Sequence, residues 1–514
     1  MGRFSWVCTA RAVTALGLAL LGLSCNNVGA PPGGGPQATF GTGYIFIGDA
    51  PPAGTSILKF EITLSGATLC PTVGSGGACE GLPQIELLSV PVTIEMTQLQ
   101  LASAFLSLKE VPTGTYAGVR LTFSNPELKV LNPDGTVTEL EGVDLPLNPT
   151  SVTPTFATPL TVGADTNFGF LVDFNANDSI QSSEGAITGI APVVSLVPLP
   201  IAVGQAIEEL EDTTGKVSSL NKTCPTGSFT ITDSMTGIPL ANVQFDGTTE
   251  FDEGLTCETL ANDQIVEADI ELRSQTLESA QFFAKEIELV NPADERSLEG
   301  VVVQVNPFDE LNNRYQLVVL VHEAENISGM ANGALVTVNI NPDTVQFRVD
   351  ADNLPVESSA FASGADLLAG QSVEVDVLSS SLVLGTNNCA AVEDGCVAGA
   401  EKIKLKEGSI TARVGSSIAQ PTFFLNTLPS IFGAPTLLRP LSADCQGCLI
   451  ESIEVLTSDQ TEYENLPGGF IALQQNQTVT VRGLLLKNLF QGPPIGSNSP
   501  LLVAAKVRLV SATP

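Results

Sequence analysis

The sequence predicts an all-β protein, and three observations carry that expectation. Apolar residues alternate with polar ones, as in Val373-Glu-Val375-Asp-Val377, Val479-Thr-Val481 and Ile403-Lys-Leu405, which is the period of a half-buried strand. Breakers drawn from 47 Gly and 33 Pro punctuate the chain roughly every 8–12 residues, the spacing of short strands joined by turns. A helical period is confined to one stretch, Thr97 to Lys109, where a helix is expected. A length of 514 residues leaves room for three or four domains of about 100–200 residues each.

The first residues read as an address. Arg3 and Arg11 precede an uncharged run, Ala12 to Ser24, carrying Leu16, Leu18, Leu20, Leu21 and Leu23. That run is too short for a membrane span and suits the apolar region of a signal peptide. It closes on Leu21-Gly-Leu-Ser-Cys25, which resembles a bacterial lipoprotein box. The resemblance implies a signal peptide over residues 1–24 and diacylation of Cys25 as the new N-terminus. Asn26 follows the Cys, which in such proteins implies the outer membrane. Ordinary secretion with cleavage near Ala30 is the alternative. Residues 25–38, with Pro31-Pro-Gly-Gly-Gly-Pro36, suit neither helix nor ladder and read as a tether.

The next unit spans residues 39–200. A strand, Tyr44 to Ile47, leads into Gly48-Asp-Ala-Pro51; Pro112-Thr-Gly114-Thr-Tyr116-Ala-Gly-Val-Arg120-Leu121 is a turn feeding a strand; Leu171-Val-Asp173-Phe174 ends another. These landmarks resemble the family DUF 4382, a lipoprotein-borne β-sandwich of unknown function, and the resemblance implies that fold here. Tyr116 and Arg120 share a strand face. A Tyr packed at a sheet corner beside an Arg paired to a core-edge carboxylate is expected, with ligand recognition as the competing reading. The uncharged stretch Gly185 to Ile207 contains Pro192, Pro198 and Pro200, which break a membrane helix. It reads as a buried strand leading into a linker at 201–213.

One constellation in this unit suggests a metal. Asp173, Asn175, Asn177, Ser179, Gln181 and Glu184 fall at the ligand positions of an EF-hand-like loop, with Ile180 at its apolar position. Calcium takes six to eight such oxygens. Asp178 stands where the loop has Gly, and neither flank reads as a helix. The competing reading is a strand end followed by a solvated Asn/Asp turn. Calcium is the only cofactor the sequence suggests.

From Gly215 onward the chain repeats itself. Gly215-Lys-Val217, Gly300-Val-Val302 and Gly408-Ser-Ile410 each open a strand. Thr249-Glu-Phe251, Val345-Gln-Phe347 and Thr461-Glu-Tyr463 follow. Next comes Leu-x-x-x-Gln-x-Val at Leu260, Leu367 and Leu473, with Gln264, Gln371 and Gln477. Each unit closes on Ala-x-x-[Ile/Val]-x-Leu, starting at Ala284, Ala400 and Ala504. Unit openings lie 85 and 108 residues apart, so loops absorb the difference. About five short strands with one recurrent aromatic bury their alternating face by curling into a small barrel. Phe251, Phe347 and Tyr463, equivalent in the three units, are expected in the cores. The landmarks resemble the family DUF 5666, short OB-like barrels often in tandem in envelope proteins. The expected architecture is thus an N-terminal β-sandwich plus three tandem OB-like barrels, at residues 214–292, 298–407 and 408–514.

Outside the leader and the anchor, the cysteines fall two by two within these units. Local pairing is expected: Cys70–Cys79, Cys224–Cys257, Cys389–Cys396 and Cys445–Cys448. Disulfides persist outside the cytosol, in accord with the leader. Cys445-Gln-Gly-Cys448 is expected to be a clip. A redox role would need a helix N-terminus to acidify the thiol, and zinc would need a second pair and a His at ligand spacing.

With 22 Lys plus Arg against 56 Asp plus Glu, the formal charge is -34; nucleic acid is excluded as a partner. His322 is the only His, at the end of the apolar run Val318 to Val321, and a triad or a His-based zinc site would have to use it. It is expected to be a partly buried or edge-strand His without a catalytic task. Paired carboxylates could hydrolyse glycosides, but sugar clefts use aromatic platforms, and the single Trp lies in the leader.

The function expected from these readings is non-catalytic: a cell-envelope lipoprotein, held in the outer membrane by its lipid on the periplasmic or surface face. It would act as a binding, adhesion or scaffold module for an unidentified protein or glycan, its barrels strung outward. The alternative is a periplasmic accessory subunit of an envelope assembly or export machine, with a polysaccharide hydrolase a distant third.

Overall fold

In a computed structural model, residues 39–510 are described apart from short breaks, the longer ones at 50–56, 100–103, 133–136, 200–205, 233–238, 291–295, 390–393, 433–449 and 488–499. The leader, Cys25, the tether, Cys445 and Cys448 lie outside the described residues.

Two sheets form the N-terminal sandwich. One contains β1 (Phe40–Asp49), then a second sheet starts with β2 (Ile57–Cys70), and the chain returns to the first as β3 (Ala104–Pro112). It crosses again for β4 (Gly114–Leu131) and ends in the first sheet as β5 (Asn167–Phe174) and β6 (Val194–Leu199). The first sheet has the order β6-β5-β1-β3, with β1 and β5 parallel. The second is built on the β2–β4 pair, edged by short strands. Alternation turns Ile45, Ile47, Phe170 and Val172 toward Phe60, Ile62, Leu121 and Phe123 of the facing sheet. Phe174 meets the rings of Phe60 and Phe123 edge-on, each at 5.7 Å.

Among the described residues, the helix expected over Thr97 to Lys109 is absent. One turn of 3-10 helix, Met96–Leu99, precedes β3, which pairs antiparallel with β1. Ala104, Leu106 and Leu108 also recur every second residue, so the sequence suits a strand, and the unpaired edge of β1 decides between the two periods. The stretch 185–207 likewise holds two strands, Ala186–Ile190 and β6. The linker expected at 201–213 is strand from residue 206 on, continuous with the opening of barrel 1. Its first strand, β7 (Ala206–Thr223), pairs beyond the barrel with the later strand Ile265–Thr276, which satisfies its backbone groups.

Three barrels follow, each with six strands, written a to f in chain order. Barrel 1 has β7, β8 (Thr226–Thr232), β9 (Pro239–Phe245), β10 (Glu250–Asp252), β11 (Ile265–Thr276) and β12 (Ser279–Val290). Barrel 2 has β13 (Ser297–Asp309), β14 (Arg314–Glu325), β15 (Leu335–Ile340), β16 (Gln346–Val349), β17 (Ser372–Val377) and β18 (Val397–Lys406). Barrel 3 has β19 (Gly408–Ala419), β20 (Thr422–Asn426), β21 (Ile453–Leu456), β22 (Glu462–Glu464), β23 (Thr478–Leu486) and β24 (Leu501–Leu509). In all three the order is c-b-a-e-f, c closes on f in parallel, and the short strand d also lies beside f. That is the five-stranded Greek-key closure of an OB-type barrel.

The repeated sequence landmarks have physical causes. The Gln side chain of each Leu-x-x-x-Gln-x-Val segment accepts from the backbone N–H three residues earlier: Gln264 from Ala261 at 2.6 Å, Gln371 from Leu368 at 2.7 Å, Gln477 from Gln474 at 2.7 Å. The preceding residue takes positive φ in all three, as Asp263, Gly370 and Asn476, residue types that tolerate the left-handed region. The closing Ala marks a β-bulge in strand f. Pairing skips Lys285, Glu401 and Ala505, the residue after each Ala, and such bulges bend a strand enough to close a barrel. Thr249 and Thr461 donate to the carbonyls of Ala284 and Ala504, both at 2.8 Å; barrel 2 has Val345 at that place.

Three of the expected disulfides are formed: Cys70–Cys79, Cys224–Cys257 and Cys389–Cys396, with Cα separations of 5.3, 5.8 and 5.6 Å, normal for a cystine.

The barrels are not strung outward. From Thr39 on, the chain packs as one unit. Tyr44, Phe46 and Leu171, on the outer face of the first sandwich sheet, join the core of barrel 1. Val318, Leu320 and Leu335, on the outside of barrel 2, share a core with Leu58 and Leu131 of the sandwich and with barrel 3. This explains the unbroken run Leu317 to Val321, 0–1% exposed throughout: a strand covered on both faces needs no polar alternation.

Candidate functional site

Tyr116 is buried and its hydroxyl donates to the Pro112 carbonyl at 2.9 Å, fixing the corner that starts β4. Arg120 donates to the Thr68 hydroxyl at 3.4 Å, and Thr68 donates to Glu86 at 3.0 Å. The Arg thus reaches its carboxylate through a hydroxyl, not by the direct pairing expected. Phe251, Phe347 and Tyr463 pack against the cores but are only half-buried. They lie on strand d, outside the closed ring.

The calcium-like segment folds as one helical turn, Ala176–Ser179, followed by the strand Ile180–Ser183. Asn175 caps the turn, accepting from the Asp178 N–H and donating to its carboxylate, both at 3.0 Å. Asn177 donates to the same carboxylate at 3.2 Å, and Gln181 to the Asp178 carbonyl at 3.1 Å. Asp173 accepts from Ser195 at 3.1 Å; the buried Ser179 hydroxyl accepts from the Val193 N–H at 2.9 Å. Glu184 lies outside the described residues.

His322 is half-buried where barrel 2 meets the sandwich, beside Glu95 and the backbone of Leu58. Burial lowers its pKa, more than Glu95 and the Leu58 hydrogen bond raise it. The fold therefore holds it neutral, and the stability this contributes is lost as pH falls below the usual histidine value of 6.5.

Among the described residues, a dense charge cluster lies between barrels 1 and 2. Ile403 and Leu405 fill barrel 2, so the alternating Lys402, Lys404 and Lys406 of β18 point outward. Lys404 is held by Glu288 of barrel 1 and Asp350 of barrel 2, each at 3.0 Å, with Glu374 at 4.0 Å. Lys406 bridges Glu267 of barrel 1 at 3.4 Å and Glu299 of barrel 2 at 3.2 Å. Lys402 pairs with Asp376 at 3.0 Å. Strand register sets Glu323, Glu299 and Glu374 side by side across barrel 2, and Glu267 opposite Glu288 in barrel 1. Like charges directly opposite repel; the lysines compensate.

A cleft of about 600 Å³, counting the solvent at its mouth, opens among these carboxylates. Burial pushes Glu374 up to about 7, against the pull of Lys404 and Lys406. Burial alone would lower Lys404, but Asp350, Glu288 and Glu374 more than offset it and raise its pKa. Chemically, the site can exchange a proton near neutrality while the buried Lys404 stays charged. The signal for it in the sequence was the period-two Lys402-x-Lys404-x-Lys406 on a strand of an otherwise acidic chain.

No protein-family model matches the chain, and no curated protein is detectably similar to it.

Proposed function

We propose that the protein is a non-catalytic lipoprotein of the cell envelope, a scaffold, adhesion or binding module anchored through Cys25. The observation that carries this reading is the use of the barrel surfaces. OB-type barrels present ligands with the outer face of their second and third strands. In barrel 2 that face, through Val318, Leu320 and Leu335, is committed to the sandwich and barrel 3. The single His is likewise taken up at a domain joint. Both features favour a load-bearing body whose partner, a protein or glycan, is met by exposed loops and rims. The acidic surface supports solubility beside an anionic membrane.

Protease shaving of intact cells, with lysed cells as the cleavability control, tests the reading together with a Cys25→Ser variant. Release of barrel peptides from intact cells, and loss of membrane retention in Cys25→Ser, are the expected results. Protection until lysis would favour the periplasmic assembly-partner reading. Unchanged membrane retention of Cys25→Ser would overturn the anchor.

A further inference from the structure

We propose that the contact between barrels 1 and 2 is an electrostatic latch, in which Lys404 and Lys406 clamp carboxylates of both barrels, and which loosens as the surroundings become less acidic. Among the described residues, no apolar core contains side chains of both barrels. Barrel 1 shares its core with the sandwich, while barrel 2 shares its own with barrel 3 and with the sandwich. The two lysines are 4% and 9% exposed, and each spans the joint, Lys404 to Glu288 and Lys406 to Glu267.

The groups around Glu374 decide how the latch responds. Asp376 shares its strand; Glu299 lies beside it on β13, with Ser297 next along, and Glu323 beyond on β14; Lys402, Lys404 and Lys406 flank it on β18. Asp350 reaches the same lysine, and Glu267 and Glu288 approach from barrel 1. A neutral Glu374 leaves Lys404 to Glu288 and Asp350. An ionised Glu374 competes for that lysine and repels Glu288, so the bond across the joint weakens. Burial places the change near neutrality.

Energy transfer between dyes on the full chain reads the joint, with one dye at Glu258 of barrel 1 and one at Leu311 of barrel 2, both exposed. Transfer should be high in acid and fall with a midpoint near 7, the open-to-closed ratio rising at most about tenfold per pH unit for one proton. Glu374→Gln should keep transfer high at every pH, and Lys404→Met should lower it at every pH. A second pair, Leu311 with Asp459 of barrel 3, should stay constant. A wild-type titration that is flat from about pH 5 to about pH 9, or an unmoved midpoint in Glu374→Gln, would overturn the latch. The wild-type titration decides alone if the variants do not fold.

Discussion

The joint between barrels 2 and 3 and the joint between barrels 1 and 2 connect copies of the same fold by opposite means. At the first, the Gln turn of barrel 2 is itself the contact. The Gln371 amide donates to the Leu485 carbonyl of barrel 3 at 2.9 Å, and Gly370 lies against the Phe432 ring, where a Cβ would collide with it. Its turn reads Leu368-Ala-Gly370, and Leu368 and Ala369 are buried. The equivalent turns Ala261-Asn-Asp263 and Gln474-Gln-Asn476 are exposed. All three make the same internal hydrogen bond. Turn geometry therefore belongs to the barrel, and turn composition records whether a neighbour sits on it. The joint of barrels 1 and 2 uses the outer faces of strands and buried charge instead, which makes it dependent on solution conditions.

The contrast can be broken at either joint. Lys404→Met should cost the most, about 3–5 kcal/mol in urea unfolding, because it leaves the half-buried Glu288 and Asp350 without their cation. Gly370→Ala should cost about 2–4 kcal/mol, combining a positive φ of 94° with a clash against Phe432. Asn476→Ala, at the same turn position without a neighbour, should cost only about 1 kcal/mol; equal losses would mean that docking contributes nothing at Gly370.

The pH profile separates the joints further. Folded Glu374 keeps a proton that the unfolded chain releases above the ordinary value of 4.5, so its contribution is present in acid and is lost as pH rises through about 7. Denaturation midpoints followed against pH should show that fall, and Glu374→Gln should remove it. His322 acts in the opposite sense, and His322→Asn should flatten the loss below 6.5. Smaller still is Tyr116→Phe, about 1 kcal/mol for one buried hydrogen bond. The smallest expected effect is calcium: a melting temperature unchanged by calcium or chelator, since the oxygens of Asn175 and Ser179 already have partners, whereas a rise with calcium would restore that site.

The barrels were legible from sequence because their landmarks are local. A Gln that closes its own turn and an Ala at a bulge leave marks at fixed spacing whatever surrounds them, and so does the Thr immediately ahead of strand d in barrels 1 and 3. What surrounds them was less legible. The unbroken apolar runs Tyr44 to Ile47 and Leu317 to Val321 belong to strands covered on both faces, but the domain that covers each is a long-range fact. Residues 206–213 lacked an alternating apolar pattern, and their pairing with β11 is a long-range fact. The helix expected at Thr97 failed for the same reason: two periods fit those residues, and a partner strand chose between them. The charge cluster was half-visible, its lysines spaced on one strand while its carboxylates come from five others and a loop.

The placement of β1 carries a mechanical consequence. The chain enters the fold at Phe40 directly into β1, which is bonded on one side to β5 from Thr42 to Asp49 and on the other to β3. A pull on the segment ahead of Phe40 runs along this strand. It therefore loads both ladders in shear, and many hydrogen bonds must yield together where an edge strand would peel one bond at a time.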